Sequence, residues 1–235
     1  MAGRDREPRR AGTGLQAIVD RFARLGVDPA VIGVPERSAV PQPNNRDALE
    51  LAASRIPPRF HDATADDPQV LAWVEHVKQA ARRGPEGQLG IARASSLLLL
   101  GETGTGKTHQ AYGAIRSLLG AGVRLRWQAI TSVGLHAMMR PRPGADAERE
   151  MRGLERTPLL LVDDLGAGRA SEFTEETTYR LINHRYEQQL PTIITSNITP
   201  AELAGLLGDR TASRLRQMCH KAVLAGPDRR RAPLF

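Results

Sequence analysis

The chain has one cysteine in 235 residues, Cys219, which excludes an intramolecular disulfide and a cysteine-built zinc site. A single thiol suits a reducing cytoplasm, and its default role is that of a small apolar core residue. Long hydrophobic runs are missing too: none approaches the roughly 20 residues that a bilayer span needs. The opening "MAGRDREPRR" has no hydrophobic signal region behind it. The expectation is a soluble cytoplasmic protein with no membrane partner. Lysine is scarce, with only Lys78, Lys107 and Lys221, so arginine supplies nearly all of the 33 basic residues. That bias alone accounts for part of the pI near 10.4. The net charge of +7 still favours a polyanionic partner such as nucleic acid.

An apolar content of 40% is enough to build a core for one full domain with a small appendage. In "LQAIVDRFARLG", Leu15, Ile18, Val19, Phe22 and Leu25 fall at helical spacing and Gly26 offers a stop. The prolines and paired asparagines of Val34 to Asn45 then read as a linker, because they neither continue a helix nor pair inside a sheet. The predicted organisation is a small helical N-terminal module with its linker over residues 1–54, and a main domain over residues 55–235. The apolar face of the module either meets a partner or packs on the main domain. From about residue 66, helical and strand-like segments alternate, as in a parallel sheet covered by helices. Five strands are expected: Ser95–Leu100, Val123–Ile130, Leu159–Val162, Thr192–Asn197 and a short one within Lys221–Ala225. Helices are expected from about Gly106 to Leu119 and across Ser171–Leu190.

"GETGTGKT", Gly101 to Thr108, fits G-x-x-x-x-G-K-[ST] and sits directly after an apolar strand where a helix opens. Glycines such as Gly101, Gly104 and Gly106 let backbone N–H groups, those of Thr105 and its neighbours included, wrap phosphates at the positive end of the helix. Lys107 then bridges β- and γ-phosphate oxygens, and the Thr108 hydroxyl is a magnesium ligand. The implied cofactors are ATP and Mg2+. In "LLLVDDLGAG" two aspartates stand together at the end of a buried strand, a costly arrangement unless positive charge meets them. Asp163 is the metal-side carboxylate of such sites. Asp164 either orients the attacking water or caps the following loop. Asn197 ends a further strand, where ligands bind in open α/β sheets; it senses the γ-phosphate, helps hold the water, or serves only as a turn residue.

With these motifs in order, residues 55–235 resemble the DnaC/DnaI-type replicative helicase loaders and the related IstB-like transposition ATPases of the AAA+ superfamily. The resemblance rests on "RIPPRFHDAT", "LLLLGETGTGKTH", "LLLVDDLG", "TIITSN", "GDRTASRL" and "GPDRRR". It implies an AAA+ P-loop NTPase with a five-stranded parallel sheet and no C-terminal lid domain. It also implies ATP hydrolysis, self-association through an arginine finger, and delivery of a replicative DNA helicase, gripped by the N-terminal module, onto single-stranded DNA. Arg214 is the first choice for the finger and Arg210 the second, with a plain surface arginine as the alternative; Arg229 or Arg230 takes a second sensing role. The segment between the second and third strands, with Arg140, Arg142, Arg149 and Arg152, is the expected DNA contact, electrostatic and salt-sensitive. Trp127 there offers the only large stacking face, and as a strand residue it belongs to the core. Two departures stand out. Gln110 occupies a position where the family usually has an apolar residue, and Asp164 replaces the commoner glutamate. Two other functions fit the same motifs: a transposition-targeting ATPase that binds duplex DNA and a transposase, and a nucleotide-gated DNA-binding adaptor with negligible hydrolysis.

Overall fold

Four leucines in a row close the strand before the phosphate loop, and the fold buries them on alternate sides. In a computed structural model, Ser96–Leu100 (β3) is the second strand from one edge of a five-stranded sheet. The structure describes residues 45–84, 87, 89–91 and 93–228. The expected helix at residues 15–26, the linker up to Asn44, and Arg229 and Arg230 lie outside the described residues.

The elements before β3 are a helix Asn45–Ala53 (α1), a short 3-10 turn Pro58–Phe60, a helix Pro68–Ala80 (α2) and two-residue strands Arg82–Arg83 (β1) and Leu89–Gly90 (β2). After β3 come Lys107–Gly120 (α3), Val123–Arg124 (β4), Trp127–Thr131 (β5), Ser132–Met138 (α4) and Ala147–Arg156 (α5). Leu159–Asp163 (β6), Glu172–Glu187 (α6), Thr192–Ser196 (β7), Pro200–Met218 (α7) and Cys219–Val223 (β8) complete the described chain. The main sheet runs β5-β6-β7-β3-β8 and every pairing in it is parallel. A small second sheet joins β1, β2 and β4.

A parallel sheet is covered on both faces, so its strands read as unbroken apolar runs with side chains alternating between two cores. Leu97, Leu99, Leu159, Leu161 and Ile193 join one cluster with Trp73 and Val77 of α2, Ile115 and Leu118 of α3, and Trp127. Leu98, Leu100, Leu160, Val162 and Ile194 join the other with Met151, Leu181, Leu203 and Leu215. Cys219 packs on the second cluster, and burial pushes its thiol pKa up to about 12.

The single strand expected at Val123–Ile130 is two strands in two sheets. Val123, Leu125 and Trp127 keep one buried alternation across the join between the two strands. Its backbone changes partner, however, from β2 to β6. Periodicity reports which face is buried and says nothing of which strand accepts the hydrogen bonds. Upstream, a compact unit begins at Asn45, so α1 belongs with the sheet. Ala52 is buried there, and its carbonyl accepts the Trp127 indole N–H at 3.0 Å.

Helix ends are set by side chains. Ser171 and Thr174 form a reciprocal capping box at the start of α6, and Thr199 with Glu202 forms another at α7. The Thr199 N–H bonded to Glu202 holds that carboxyl below the usual range. Helix α7 kinks at Gly208, so Arg210 and Arg214 ride on its second segment.

Candidate functional site: a phosphate loop with paired aspartates

Helix α3 opens without a side-chain cap, from Gly106 at φ 95°. Its first N–H groups therefore have no intrahelical acceptor and no capping oxygen, which is the arrangement that favours an anion. Gly104 is likewise left-handed at φ 89°. Lys107 opens the helix, and its amine donates to the carbonyls of Gly101 at 2.8 Å and Glu102 at 2.7 Å. Thr105 is buried and ties the loop internally by donating to the Glu102 carbonyl at 2.9 Å.

The loop forms one wall of a cavity of about 730 Å³, lined by Thr103, Gly104, Gly106, Lys107, Thr108, Asp163, Asp164 and Asn197 together with Arg59, Phe60, His109 and Tyr112. Strands β3, β6 and β7 are neighbours in the sheet, so their C-terminal ends deliver the glycine loop, the aspartates and Asn197 to a common rim. The Thr108 hydroxyl donates to Asp163 Oδ1 at 3.0 Å. Thr195 also donates to Asp163 Oδ1, at 2.7 Å, and its oxygen accepts the Asp164 N–H at 2.8 Å.

The two adjacent aspartates divide by backbone conformation. In a continuing strand, Asp164 would face away from Asp163. At φ 61° it leaves the strand instead, in a left-handed conformation that aspartate tolerates better than most residues. Both carboxylates thereby line the same cavity, Asp163 partly buried and Asp164 exposed to it.

The donors present fit magnesium. Thr108 and Asp163 offer hard oxygen atoms within 3.0 Å of one another. Among the described residues, no group of three or more histidine, cysteine or acidic side chains forms a metal cage. Magnesium is commonly held by one or two carboxylates plus substrate phosphates, and needs no such cage.

Lys107, Thr108, Gly104, Gly106, Asp163, Asp164 and Asn197 are thus brought together, while Gly101 and Thr105 shape the loop behind them. Arg214 does not line this cavity. Its Nε donates to Asn183 Oδ1 at 3.1 Å and its guanidinium lies 4.5 Å from the centre of the Tyr186 ring. Arg210 is exposed on the same helix segment. Of the four arginines in the expected DNA segment, Arg142 pairs with Glu150 and Arg152 with Glu148, both on the surface. Arg140 and Arg149 are exposed and hold no ion pair among the described residues.

The sequence reading missed Arg59, Phe60, His109, Tyr112 and Thr195. Tyr112 was accessible by spacing, since it follows Thr108 by four positions on the same helix face. Burial raises its pKa, and the Asp163 charge adds to that. Phe60 stacks on Tyr112 with ring centres 4.7 Å apart, a contact that sequence spacing does not predict.

A parallel α/β sheet carrying this loop, lysine, threonine and aspartate at its carboxyl rim defines a P-loop nucleotide-binding protein, here of the AAA+ fold. The model of the IstB-like ATP binding protein family matches residues 89–229, and the chain belongs to that family. It is 27% identical over 145 residues to the replicative helicase loader DnaI of Bacillus subtilis, a match covering 61% of this chain and 45% of the relative. It is 28% identical over 137 residues to an ATP-binding protein of insertion sequence IS21 from Pseudomonas aeruginosa, covering 57% and 51%. The matches span about half the length of these relatives. Among solved structures, the DnaC helicase loader superposes with a TM-score of 0.57 at 23% identity, covering 72% of this chain and 100% of that one. This likeness establishes the fold. No helix among the described residues is long and apolar enough to cross a membrane.

Proposed function

We propose that the protein is an ATPase that delivers a replicative helicase onto single-stranded DNA. The observation that carries the ATPase reading is the convergence of Lys107, Thr108, Asp163, Asp164 and Asn197 on one cavity. Lys107 leaves the Gly101 and Glu102 carbonyls for the β- and γ-phosphate oxygens when nucleotide enters. Thr108 and Asp163 hold Mg2+, which when bound neutralises phosphate charge as it develops. Asp164 orients the attacking water and Asn197 holds it or senses the γ-phosphate. Arg214 supplies positive charge from a neighbouring copy, because in its own copy it is held against Tyr186 and Asn183, off the cavity.

Mixing Arg214→Ala subunits with Lys107→Ala subunits is expected to restore part of the ATPase activity that each lacks alone, measured as phosphate release. No recovery at any ratio would mean that Arg214 does not act between subunits.

Helicase delivery is supported by the likeness to DnaI and by the arginines beside the fold. Arg149, Arg152 and Arg156 recur at helical spacing along one side of α5. The sequence places the partner module and its linker over residues 1–54, whereas α1 contributes to the core of the unit that starts at Asn45. The informative truncation therefore removes residues 1–44. Full-length protein is expected to co-purify with the replicative helicase, and a chain of residues 45–235 to lose the helicase while still binding ATP. Retention of the helicase by the truncated chain would overturn the assignment.

The match to the insertion-sequence protein favours a second reading, a transposition-targeting ATPase. That reading requires duplex DNA to bind more tightly than single-stranded DNA, the reverse of the loader's expectation. Wild-type turnover indistinguishable from zero, with and without DNA, would instead indicate a nucleotide-gated adaptor.

A further inference from the structure

Two residues beyond Thr108, on the helix that opens at the phosphate loop, stands Gln110, a buried polar side chain where the family resemblance leads one to expect an apolar one. Its Oε1 accepts the backbone N–H of Asp66 at 3.0 Å and of Asp67 at 3.3 Å. Its Nε2 donates to the Asp66 carboxylate in a short hydrogen bond. The neighbours of Gln110 on α3 bind the same stretch of chain. His109 Nε2 accepts the Thr64 N–H at 3.2 Å, and Arg116 Nη1 donates to the Ala63 carbonyl at 2.6 Å. Gly113 leaves room for the backbone of Thr64 and Ala65 to lie directly on the helix, where any Cβ would collide with it. Residues 63–67 are thus clamped along the side of α3 that carries Gln110 and Gly113.

The clamped stretch is the downstream end of a strap whose upstream end reaches the nucleotide cavity. Three residues before Ala63, Phe60 stacks on Tyr112, and Arg59 and Phe60 line the cavity opened by the phosphate loop. A wall that is already in place before ligand arrives saves the cost of ordering it on binding. Without Gln110, the part-buried N–H groups of Asp66 and Asp67 lose their acceptor, and the strap must shift to find water or another partner.

We propose that Gln110 is a positioning residue for nucleotide binding: by pinning residues 63–67 to α3, it fixes Arg59 and Phe60 as a wall of the nucleotide cavity. This rests on the reading that the cavity takes ATP. Because Asp163 and Asp164 are held by Thr108 and Thr195, which do not belong to the strap, the clamp governs affinity and leaves the chemical step alone.

The test is calorimetric titration of full-length protein with ATP and Mg2+, paired with steady-state turnover. Gln110→Leu is expected to weaken ATP binding and raise KM by about tenfold, with kcat within about twofold of wild type. Phe60→Ala is expected to weaken ATP binding comparably, and Gln110→Leu combined with Phe60→Ala to be no weaker than the worse single variant, since both act through one wall. A lowered melting temperature with unchanged ATP affinity in Gln110→Leu, or fully additive losses in the double variant, overturns the proposal. Gly113→Ala is the second route if Gln110→Leu does not fold. Alanine favours an isolated helix, so reduced ATP affinity in that variant reports strap displacement, and wild-type affinity rejects it. Lys107→Ala separates the two levels: wild-type ATP affinity in that variant would remove the nucleotide reading itself, whatever the clamp does.

Discussion

Replacing Asp164 with asparagine is expected to leave ATP affinity within about twofold of wild type and to cut turnover by about a hundredfold or more, the usual scale for loss of a positioned catalytic base. The substitution is nearly isosteric, and asparagine accepts the left-handed backbone that Asp164 adopts at φ 61° as readily as aspartate. The Asp164 N–H keeps its bond to Thr195 Oγ1, so the turn that aims the side chain is preserved. What disappears is the charge, and with it the capacity to take or polarise a proton of the attacking water. Asp163, tied to Thr108 and Thr195, remains to hold the metal side. Titration calorimetry and phosphate release on the same preparation check the expectation. Turnover equal to wild type would make Asp164 a loop residue and nothing more. Asp164→Glu completes the test: retention of at least a tenth of wild-type turnover would show that a carboxylate of either length serves, whereas collapse would mean that the shorter arm is matched to its site.

Asp164 also shows why parts of this protein are legible in its sequence. The phosphate loop, the buried strands before and after it, and the paired aspartates obey local rules: a fixed glycine spacing, unbroken apolar runs, polar residues at a strand end. Parallel strand order then places Lys107, Asp163 and Asn197 at one rim with little further information. Arg59 and Phe60 obey no such rule. They reach the cavity because a strap crosses α3 and is held there by Gln110, a contact between positions more than forty residues apart. The split of Val123–Ile130 into two strands failed to register for a related reason, since burial alternates unchanged across the join while hydrogen-bond partners switch sheets. The place of α1 was hidden as well. Its proline-rich approach reads as linker, yet its Ala52 carbonyl receives the buried indole of Trp127.

Arg185 is the residue least legible from sequence, and its loss carries the largest expected effect on stability. In "YRLINHRYEQQL" it reads as one more solvated arginine of a helix, but its exposure is 0%. Burial lowers its pKa to about 9, so it is a cation at neutral pH. Among the described residues, none of its hydrogen-bond partners is a carboxylate. Nε donates to Thr192 Oγ1 at 2.7 Å, Nη2 to the Pro191 carbonyl at 2.7 Å, and Nη1 to the carbonyls of Leu154 at 2.9 Å and Thr157 at 2.8 Å, with Glu155 more distant at 3.4 Å. Two of these acceptors belong to the last turn of α5, whose orphan carbonyls and negative dipole end favour a cation. The guanidinium therefore stitches the end of α5 to the start of β7. Arg185→Leu takes the charged donor from four buried carbonyls; those of Leu154 and Pro191 keep a backbone N–H, from Thr157 at 3.4 Å and Leu160 at 3.3 Å, while a carbonyl left unsatisfied costs about 1–3 kcal/mol. The whole is expected to cost about 3–5 kcal/mol, the range for breaking a buried charged network. Against a typical domain stability of about 5–15 kcal/mol, the variant sits near the edge of folding. Arg185→Lys recovers little, because an ammonium has no planar fork to serve acceptors on both elements at once. Urea denaturation followed by far-ultraviolet circular dichroism measures the change. Arg185 meets β7 at Thr192, whereas the cavity lies beyond the opposite end of that strand at Asn197. The folded fraction of Arg185→Leu should therefore bind ATP as wild type does. A loss below about 1 kcal/mol would mean that water replaces the guanidinium at those carbonyls, and that α5 is anchored chiefly by the apolar contacts of Met151 and Leu154 and by the Arg180 pairs with Glu148 and Glu155.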